Sequence, residues 1–421
     1  YSYDRFHTHY DNIYRVVEQQ NQAGTLYDLA VTPGPLAPVL KTDFAEVRQT
    51  CRIGMGWLTG VLQIGEKTIE PEKIFVVDNS FFTLFDFKLL LGNEKKVLQE
   101  PDDIVISEKI ATRIFGSDWL RSGKVLGHQI QHSNGRILTL AGVVENPPAN
   151  SHIQFDILLS CRFDELNAKD HIFNWNSDNY HTYILVHPEA NAIGLEKKLS
   201  EHLNKYAKRE VKSTLLLQPL SDIYLHSDFD FHTDWSKRSS IIYVKIFLAV
   251  GAIVLLIGLF NFVNLSTARA MNRAKEVGVR KVAGALHHQL IAQFLSETLI
   301  ITTVSVCVAI FFLQLFLPVV NGIAHKSLVV PFNEPIFQFA MIGFTLIVSL
   351  LAGIYPAFYL SGFKPAKVLK GFFVIRSGQF LRQSLVVSQF TLSVILIIGT
   401  LVIYKQLIFV QDKDLGFDEN H

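Results

Sequence analysis

The residues of this chain best suited to act on a partner lie in one basic stretch. It reads Arg273-Ala274-Lys275-Glu276-Val277-Gly278-Val279-Arg280-Lys281-Val282-Ala283-Gly284. Val279, Val282, Ala283 and Leu286 fall at i, i+3, i+4 and i+7, the spacing of one apolar helical face. Arg273, Lys275, Arg280 and Lys281 give that face a positive border, with Glu276 among them. Gly278 and Gly284 weaken a continuous helix and mark a break or a close contact. A short amphipathic helix of this kind either lies on lipid headgroups or enters a groove on a partner. The residues alone leave both readings open.

Covalent chemistry is less well supported. Ser122-Gly123-Lys124-Val125 looks like a phosphate-binding loop, but Asp118 stands where the first glycine is needed and Val125 replaces the magnesium-binding hydroxyl. His7-Thr8-His9 offers two imidazoles, yet helix neighbours two apart point in different directions. His287-His288 is no better as a metal site. The sequence has no HExxH and no GxSxG pattern. An intramembrane enzyme would need paired catalytic residues, and none stand out.

The elements that must carry the basic stretch are apolar. Four segments, roughly Ile241 to Leu265, Leu290 to Leu317, Ile336 to Leu360 and Ser384 to Val410, are long enough to cross a bilayer. A crossing needs about 20 mostly apolar residues. Hydrophobic residues make up 49% of the chain and charged ones 18%, with a formal net charge of +1. That balance is uneven: residues 1–240 carry charges throughout, as a soluble domain does, and residues 241–410 do not. No basic face points to nucleic acid.

Charge in the short loops predicts orientation. Arg269, Arg273, Lys275, Arg280 and Lys281 follow the first segment, and Lys364, Lys367, Lys370, Arg376 and Arg382 precede the fourth. The loop between the second and third segments holds only Lys326 and Glu334, and the tail holds Asp412, Asp414, Asp418 and Glu419 against Lys413. Positively charged loops stay in the cytoplasm. Residues 1–240 and the tail are then outside. Lys245 and Lys405 fall near the outer interface, where lysines snorkel. Glu297 starts the second segment; it stays near the interface, pairs with a basic residue such as Arg273, or takes part in coupling. Asn261, Asn264 and Gln314 read as interhelical hydrogen-bond partners. Cys307 reads as a small packed residue.

Residues 1–240 alternate strand and helix signals. Phe6, Tyr10, Ile13, Tyr14 and Val17 follow helical spacing and predict an amphipathic helix. Ile74 to Val77 and Ile104 to Ile106 read as strands, the second followed by Ser107 as N-cap of a helix that stops at Gly116. Arg136 to Val144 reads as a strand ending at Asn146-Pro147-Pro148. Ile153, Phe155, Ile157 and Leu159 alternate as a half-buried strand does. Leu195, Leu199 and Leu203 mark a helix face, and Thr214 to Leu217 a further strand. The fold class is an α+β extracytoplasmic domain followed by an all-α polytopic transmembrane domain. Cys51 and Cys161 share the first domain and would pair only if their Cα atoms lie within about 7 Å.

Several stretches carry a resemblance. Asn264-Leu265-Ser266-Thr267-Ala268-Arg269, then Lys275 through Lys281, then Gln293-Phe294-Leu295-Ser296-Glu297 resemble the signature of FtsX-like, MacB-type ABC transporter permeases. Tyr3-Asp4-Arg5-Phe6-His7, Ile106-Ser107-Glu108-Lys109, Ile114-Phe115-Gly116 and Phe155-Asp156-Ile157-Leu158 resemble that family's extracytoplasmic core domain. Ala352-Gly353-Ile354-Tyr355-Pro356-Ala357 with Pro365-Ala366 resembles the close of its helix unit.

The resemblance implies a MacB-like core domain over 1–240 and an FtsX-like permease domain over 241–383. Residues 384–421 would open a second repeat, with a short extracytoplasmic tail. A first helix would precede Tyr1, so the chain is expected to be a piece of a longer, eight-helix protein. The basic stretch becomes the coupling element that docks on a separate cytoplasmic ABC ATPase, through Arg273, Lys275, Glu276, Val279, Arg280, Lys281, Val282 and Gly284. ATP and magnesium would bind that ATPase, with no cofactor on this chain. The resemblance also implies a bacterial inner membrane, a dimeric permease or pseudo-dimer, and a periplasmic or outer-membrane partner. The cargo stays open among export, lipoprotein extraction and mechanotransmission. The competing reading is a membrane-anchored sensor whose outer domain binds a ligand without any ATPase.

Overall fold

The computed structural model describes residues 3–411 except 56–60, 65–66, 123–124, 133–134, 168, 208, 210, 325–327 and 362–375. Two units divide at Tyr243/Val244.

The first unit is built on one sheet. From one edge its order is β14 (Lys212–Pro219), β1 (Ile13–Gln22), β13 (Asp178–Val186), β4 (Val47–Met55), β7 (Ile74–Val77), β12 (Ile157–Ser160), β9 (Asp103–Ser107), β11 (Ile137–Val144), β10 (Gln129–His132), β5 (Leu62–Ile64) and β6 (Lys67–Ile69). Three further strands attach to it: β2 (Thr25–Leu29) on β1, β3 (Thr32–Pro33) on β13 and β8 (Leu89–Leu91) on β11. Pairing is mostly antiparallel, with parallel contacts at β11–β9 and β12–β7. Among the described residues the helices of this unit are short: α1 (Leu36–Asp43), α2 (Phe81–Leu84), α3 (Glu108–Phe115), α4 (Trp119–Ser122), α5 (Cys161–Asn167), α6 (Lys169–Ile172) and α7 (Ala192–Leu199).

The central strands are buried on both faces. Ile104 and Ile106 of β9 join one apolar cluster, and Val105 between them joins the other. Ile157 and Leu159 of β12 divide from Leu158 in the same way. Side chains alternate across a strand, so a strand covered on both sides has no polar face. For that reason β12 is uniformly buried and does not alternate, and Ile153 and Phe155 pack from the loop before it. The expected amphipathic helix at the start is also corrected. Only Tyr10–Asn12 turn, as a 3-10 helix, and β1 begins at Ile13. The run Ile13-Tyr14-Arg15-Val16-Val17 is β-branched and aromatic, which favours a pleated surface over a helix.

Local signals elsewhere act as read. Ser107 caps α3, its Oγ accepting from the Ile110 N–H, and Gly116 ends that helix at φ +87°. The free edge of β14 is blocked: Asn204 Oδ1, the Ser200 carbonyl and Glu196 Oε2 accept from the amides of Ser213, Leu215 and Leu217. A capped edge cannot recruit another strand. Cys51 and Cys161 are buried free thiols.

The second unit is helical. Its long helices are α8 (Ile241–Val282), α9 (His287–Ala324), α10 (Pro335–Ser361) and α11 (Arg376–Gln411). Each contains a stretch long and apolar enough to span a membrane: Ile241–Ser266, His287–Ala324, Pro335–Phe358 and Gln383–Phe409. Their apolar side chains face outward, as Phe247 (76% exposed) and Phe339 (74%) do. Outward apolar surface suits a lipid solvent. Asn261 and Gln314 are exposed on their helices rather than hydrogen-bonded between them, and Cys307 is exposed rather than packed. Among the described residues Asn264 Oδ1 is buried with no hydrogen-bond partner. The basic residues Lys326, Lys364, Lys367 and Lys370 and the acidic tail from Asp412 lie outside the described residues.

Candidate functional site

The basic stretch is not a separate surface helix. It is the end of α8, which runs unbroken for 42 residues. Beyond its apolar part, which ends at Ser266, the helix continues for roughly 24 Å at 1.5 Å per residue. Gly278 lies within it, buried, and does not break it. The break comes at Gly284, with φ +97°. There the Ala285 amide bonds the Arg280 carbonyl at 3.0 Å and the Gly284 amide bonds the Lys281 carbonyl at 3.1 Å. These two bonds are a Schellman closure, which needs a left-handed residue. A Cβ at Gly284 would meet nothing within 4 Å, so the demand is on backbone conformation and not on space. The chain then reverses into α9, where Gln289 Oε1 accepts from the Leu286 amide at 3.0 Å. That bond is half of a capping box. A tight helical elbow results.

Side chains staple the elbow shut. Arg280 Nη2 lies 2.7 Å from Glu276 Oε1 on its own helix. Its Nη1 donates to Gln293 Oε1 on α9 at 2.6 Å. Gln293 Nε2 in turn donates to Glu297 Oε1 at 3.1 Å. Four polar side chains thus run from one arm of the elbow to the other. Beneath them Val277, Leu290, Phe294 and Ala357 form an apolar cluster to which α8, α9 and α10 each contribute. A shallow cleft between Glu276, Arg280, Gln293 and Glu297 has a volume of about 10 Å³, room for a single water. Close packing of α10 on α9 continues at Gly353, where a Cβ would come within 3.0 Å of Leu295 Cδ2. Small residues let membrane helices approach in this way.

Among the described residues the outer face of the elbow is uncovered and apolar. Val279, Val282 and Leu286 are 59%, 68% and 55% exposed. Arg280 and the half-buried Lys281 border them. The structure therefore brings together Glu276, Val279, Arg280, Lys281, Val282 and Gly284, and ties in Glu297 through Gln293. Arg273 and Lys275 belong to α8, but their side chains lie outside the described residues, as does the expected pairing of Arg273 with Glu297. Gln293, Leu290, Phe294 and Ala357 had no place in the predicted site. The i, i+4 pair Leu290/Phe294 was the available signal, hidden within an apolar segment.

Other candidate groups resolve differently. His7 is buried and its Nδ1 accepts from the Asp86 amide at 3.0 Å, a structural bond. Burial pulls its pKa down to about 4, against the pull of Asp4. Gly123 and Lys124 of the phosphate-loop lookalike lie outside the described residues.

The chain thus joins a sheet domain to helices long and apolar enough to cross a membrane. The MacB-like periplasmic core domain family matches residues 1–201, and the FtsX-like permease C-terminal family matches residues 248–365. The chain belongs to the FtsX- and MacB-type permeases, the ABC-transporter permease family expected from its motifs. It is 30% identical over 125 residues to the macrolide export ATP-binding/permease protein MacB of Bdellovibrio bacteriovorus. The match covers 29% of this chain and 18% of that relative, so the chain spans about a fifth of the relative's length. A crystal structure of a permease-protein domain from Porphyromonas gingivalis is 25% identical, with a TM-score of 0.44 over 51% of this chain and 91% of that one. The periplasmic region of MacB from Actinobacillus actinomycetemcomitans is 15% identical, with a TM-score of 0.37 over 50% and 90%.

Proposed function

We propose that this chain is the non-catalytic permease subunit of an ABC transporter and that its elbow docks on a separate cytoplasmic ATPase. The observation that carries this reading is the exposed apolar residues Val279, Val282 and Leu286 on a stapled elbow. An apolar stripe with a positive border fits an apolar groove with an acidic rim on a protein partner. Lipid headgroups would be met by a helix lying flat. Val279 and Val282 instead end a helix that is continuous with a crossing, and Leu286 follows just past the turn. ATP and magnesium belong to the partner in this account, and the chain itself holds no cofactor. The multi-pass chain sits in the bacterial inner membrane with the elbow in the cytoplasm and the sheet domain outside. Closure of the ATPase moves the elbow, and α8, continuous from the elbow to the outer domain, carries the motion across. The work done outside is export, extraction or mechanotransmission, by a dimeric permease or pseudo-dimer that a periplasmic or outer-membrane protein joins.

The test is co-purification of the full chain with its ATPase. Val282→Glu, which leaves Arg280 and its staple intact, is expected to abolish the association, as is charge reversal at Arg280 and Lys281. Undiminished association in both variants would refute docking at this face. A chain that captures no ATPase from native membranes would favour the membrane-anchored sensor.

A further inference from the structure

The outer unit contains a second joint, far from the elbow in sequence. The chain enters this unit at Tyr3-Asp4 and leaves it through Asp234 to Ser239, and one loop binds both ends. The Asp4 amide donates to the Asn150 carbonyl at 2.9 Å. Asp4 Oδ1 accepts from Ser151 Oγ at 3.2 Å and from the His152 amide at 3.0 Å. His152 Nδ1 lies 2.9 Å from the same oxygen, both side chains fully buried. On its other side the loop receives the exit segment. The Lys237 amide donates to the His152 carbonyl at 3.0 Å, and Lys237 Nζ donates to the Ala149 carbonyl at 3.0 Å. His152 Nε2 is anchored to Tyr183 Oη at 2.8 Å.

The two ends also meet without the loop. Tyr3 stacks on Tyr224, whose carbonyl accepts from the Ser239 amide at 2.7 Å. Backbone strain sits at both ends: φ is 57° at Asp4, 55° at Phe231 and 53° at His232. Left-handed conformations at side-chain-bearing residues persist only where their surroundings hold them. At the exit the holder is Asp234, fully buried against Arg15 with contacts of 3.0 and 3.1 Å. Trp235 stacks on His181 beside it, with ring centroids 3.8 Å apart.

We infer that the loop 147–153 is a clasp that makes the entering and leaving segments of the outer unit a single mechanical element. A displacement imposed on either end reaches the other through the loop at His152, beside the direct Tyr3–Tyr224 contact. The device stands whether or not an ATPase docks on the elbow.

Native-state hydrogen exchange on the full chain in lipid nanodiscs tests it, because three amides each report one link. The Asp4, His152 and Lys237 amides are expected to open together in the unaltered chain, with protection factors agreeing to within about threefold. In Asp4→Ala all three are expected to lose protection by about tenfold or more, while the β4 amides keep theirs. A Lys237 amide that opens independently of His152 in the unaltered chain would overturn the clasp, even if the variant fails to fold. So would a variant that frees Asp4 and His152 but leaves Lys237 protected.

Discussion

Arg15 and Asp234 pair with no exposed side-chain surface, whereas Arg280 and Glu276 pair with about half of theirs in the open (45% and 53%). The first pair belongs to the outer sheet unit and the second to the helical elbow. Around Arg15 every donor is used: Gln218, Ser227, Ser236 and Asp234 all accept from it. The elbow instead places one short polar chain over a small apolar cluster and leaves its outer face bare. A buried network of this kind fixes one arrangement, since a lost partner strands a desolvated charge. An exposed staple can be rebuilt in water at little cost. The outer unit is thus built to hold its shape, and the elbow to present a surface.

The contrast is broken most directly at Arg15. Arg15→Ala leaves Asp234 buried without its ion-pair partner, where burial would raise its pKa but Arg15 and His181 now hold it well below the usual carboxylate range. We expect a loss of about 3–5 kcal/mol, read from denaturant unfolding of the outer unit in the full chain. A loss under about 1 kcal/mol would place this pair with the surface staples.

A pH effect should follow at Glu18, also fully buried. Burial and the nearby Asp178 push its pKa up to about 7, against Arg209, Ser213 and Gln20, which favour the carboxylate. The folded unit therefore binds this proton more tightly than the unfolded chain. The stabilisation is complete below the unfolded value of 4.5 and is lost as pH rises through about 7. Its upper bound is about 3 kcal/mol. Unfolding midpoints measured from pH 5 to 8 should fall in the parent and flatten in Glu18→Gln. Parallel curves would remove Glu18 as the source.

At the elbow the effects shrink. Gly284→Ala must hold φ +97° with a side chain, a cost of about 1–2 kcal/mol, and should release the Ala285 amide to exchange. Smallest of all, Glu276→Gln should change stability by about 0.5 kcal/mol or less, fading in salt. A loss of several kcal/mol there would mean that the elbow is held as rigidly as the outer core.

How much of this was legible in the sequence depended on the range of the signal. Ser107 with Gly116 and the apolar spans are local patterns, and the chain follows them; the expected helical face at Val279 and Val282 stops there, because α8 ends at Val282 and Leu286 lies beyond the turn at Gly284. The strand at Ile13 was hidden because Phe6, Tyr10, Ile13 and Tyr14 happen to fall at helical spacing. β12 did not alternate because a second layer covers its other face, and no local pattern reports that layer. Gly278 reads as a break or a close contact, and α8 carries on through it with the glycine buried. Arg15 and Asp234 are 219 residues apart, and Arg280 finds Gln293 only once the chain has turned. Such partners are set by topology, so their residue types alone could not announce them.

The central claim is that a bare apolar edge at Val282 meets a nucleotide-driven protein inside the cell. A photo-crosslinking amino acid placed at Val282 in living cells tests it most directly. The account predicts a covalent adduct with an ABC ATPase. Adducts with lipid alone, or labelling of this position by a membrane-impermeant reagent added outside the cells, would contradict it.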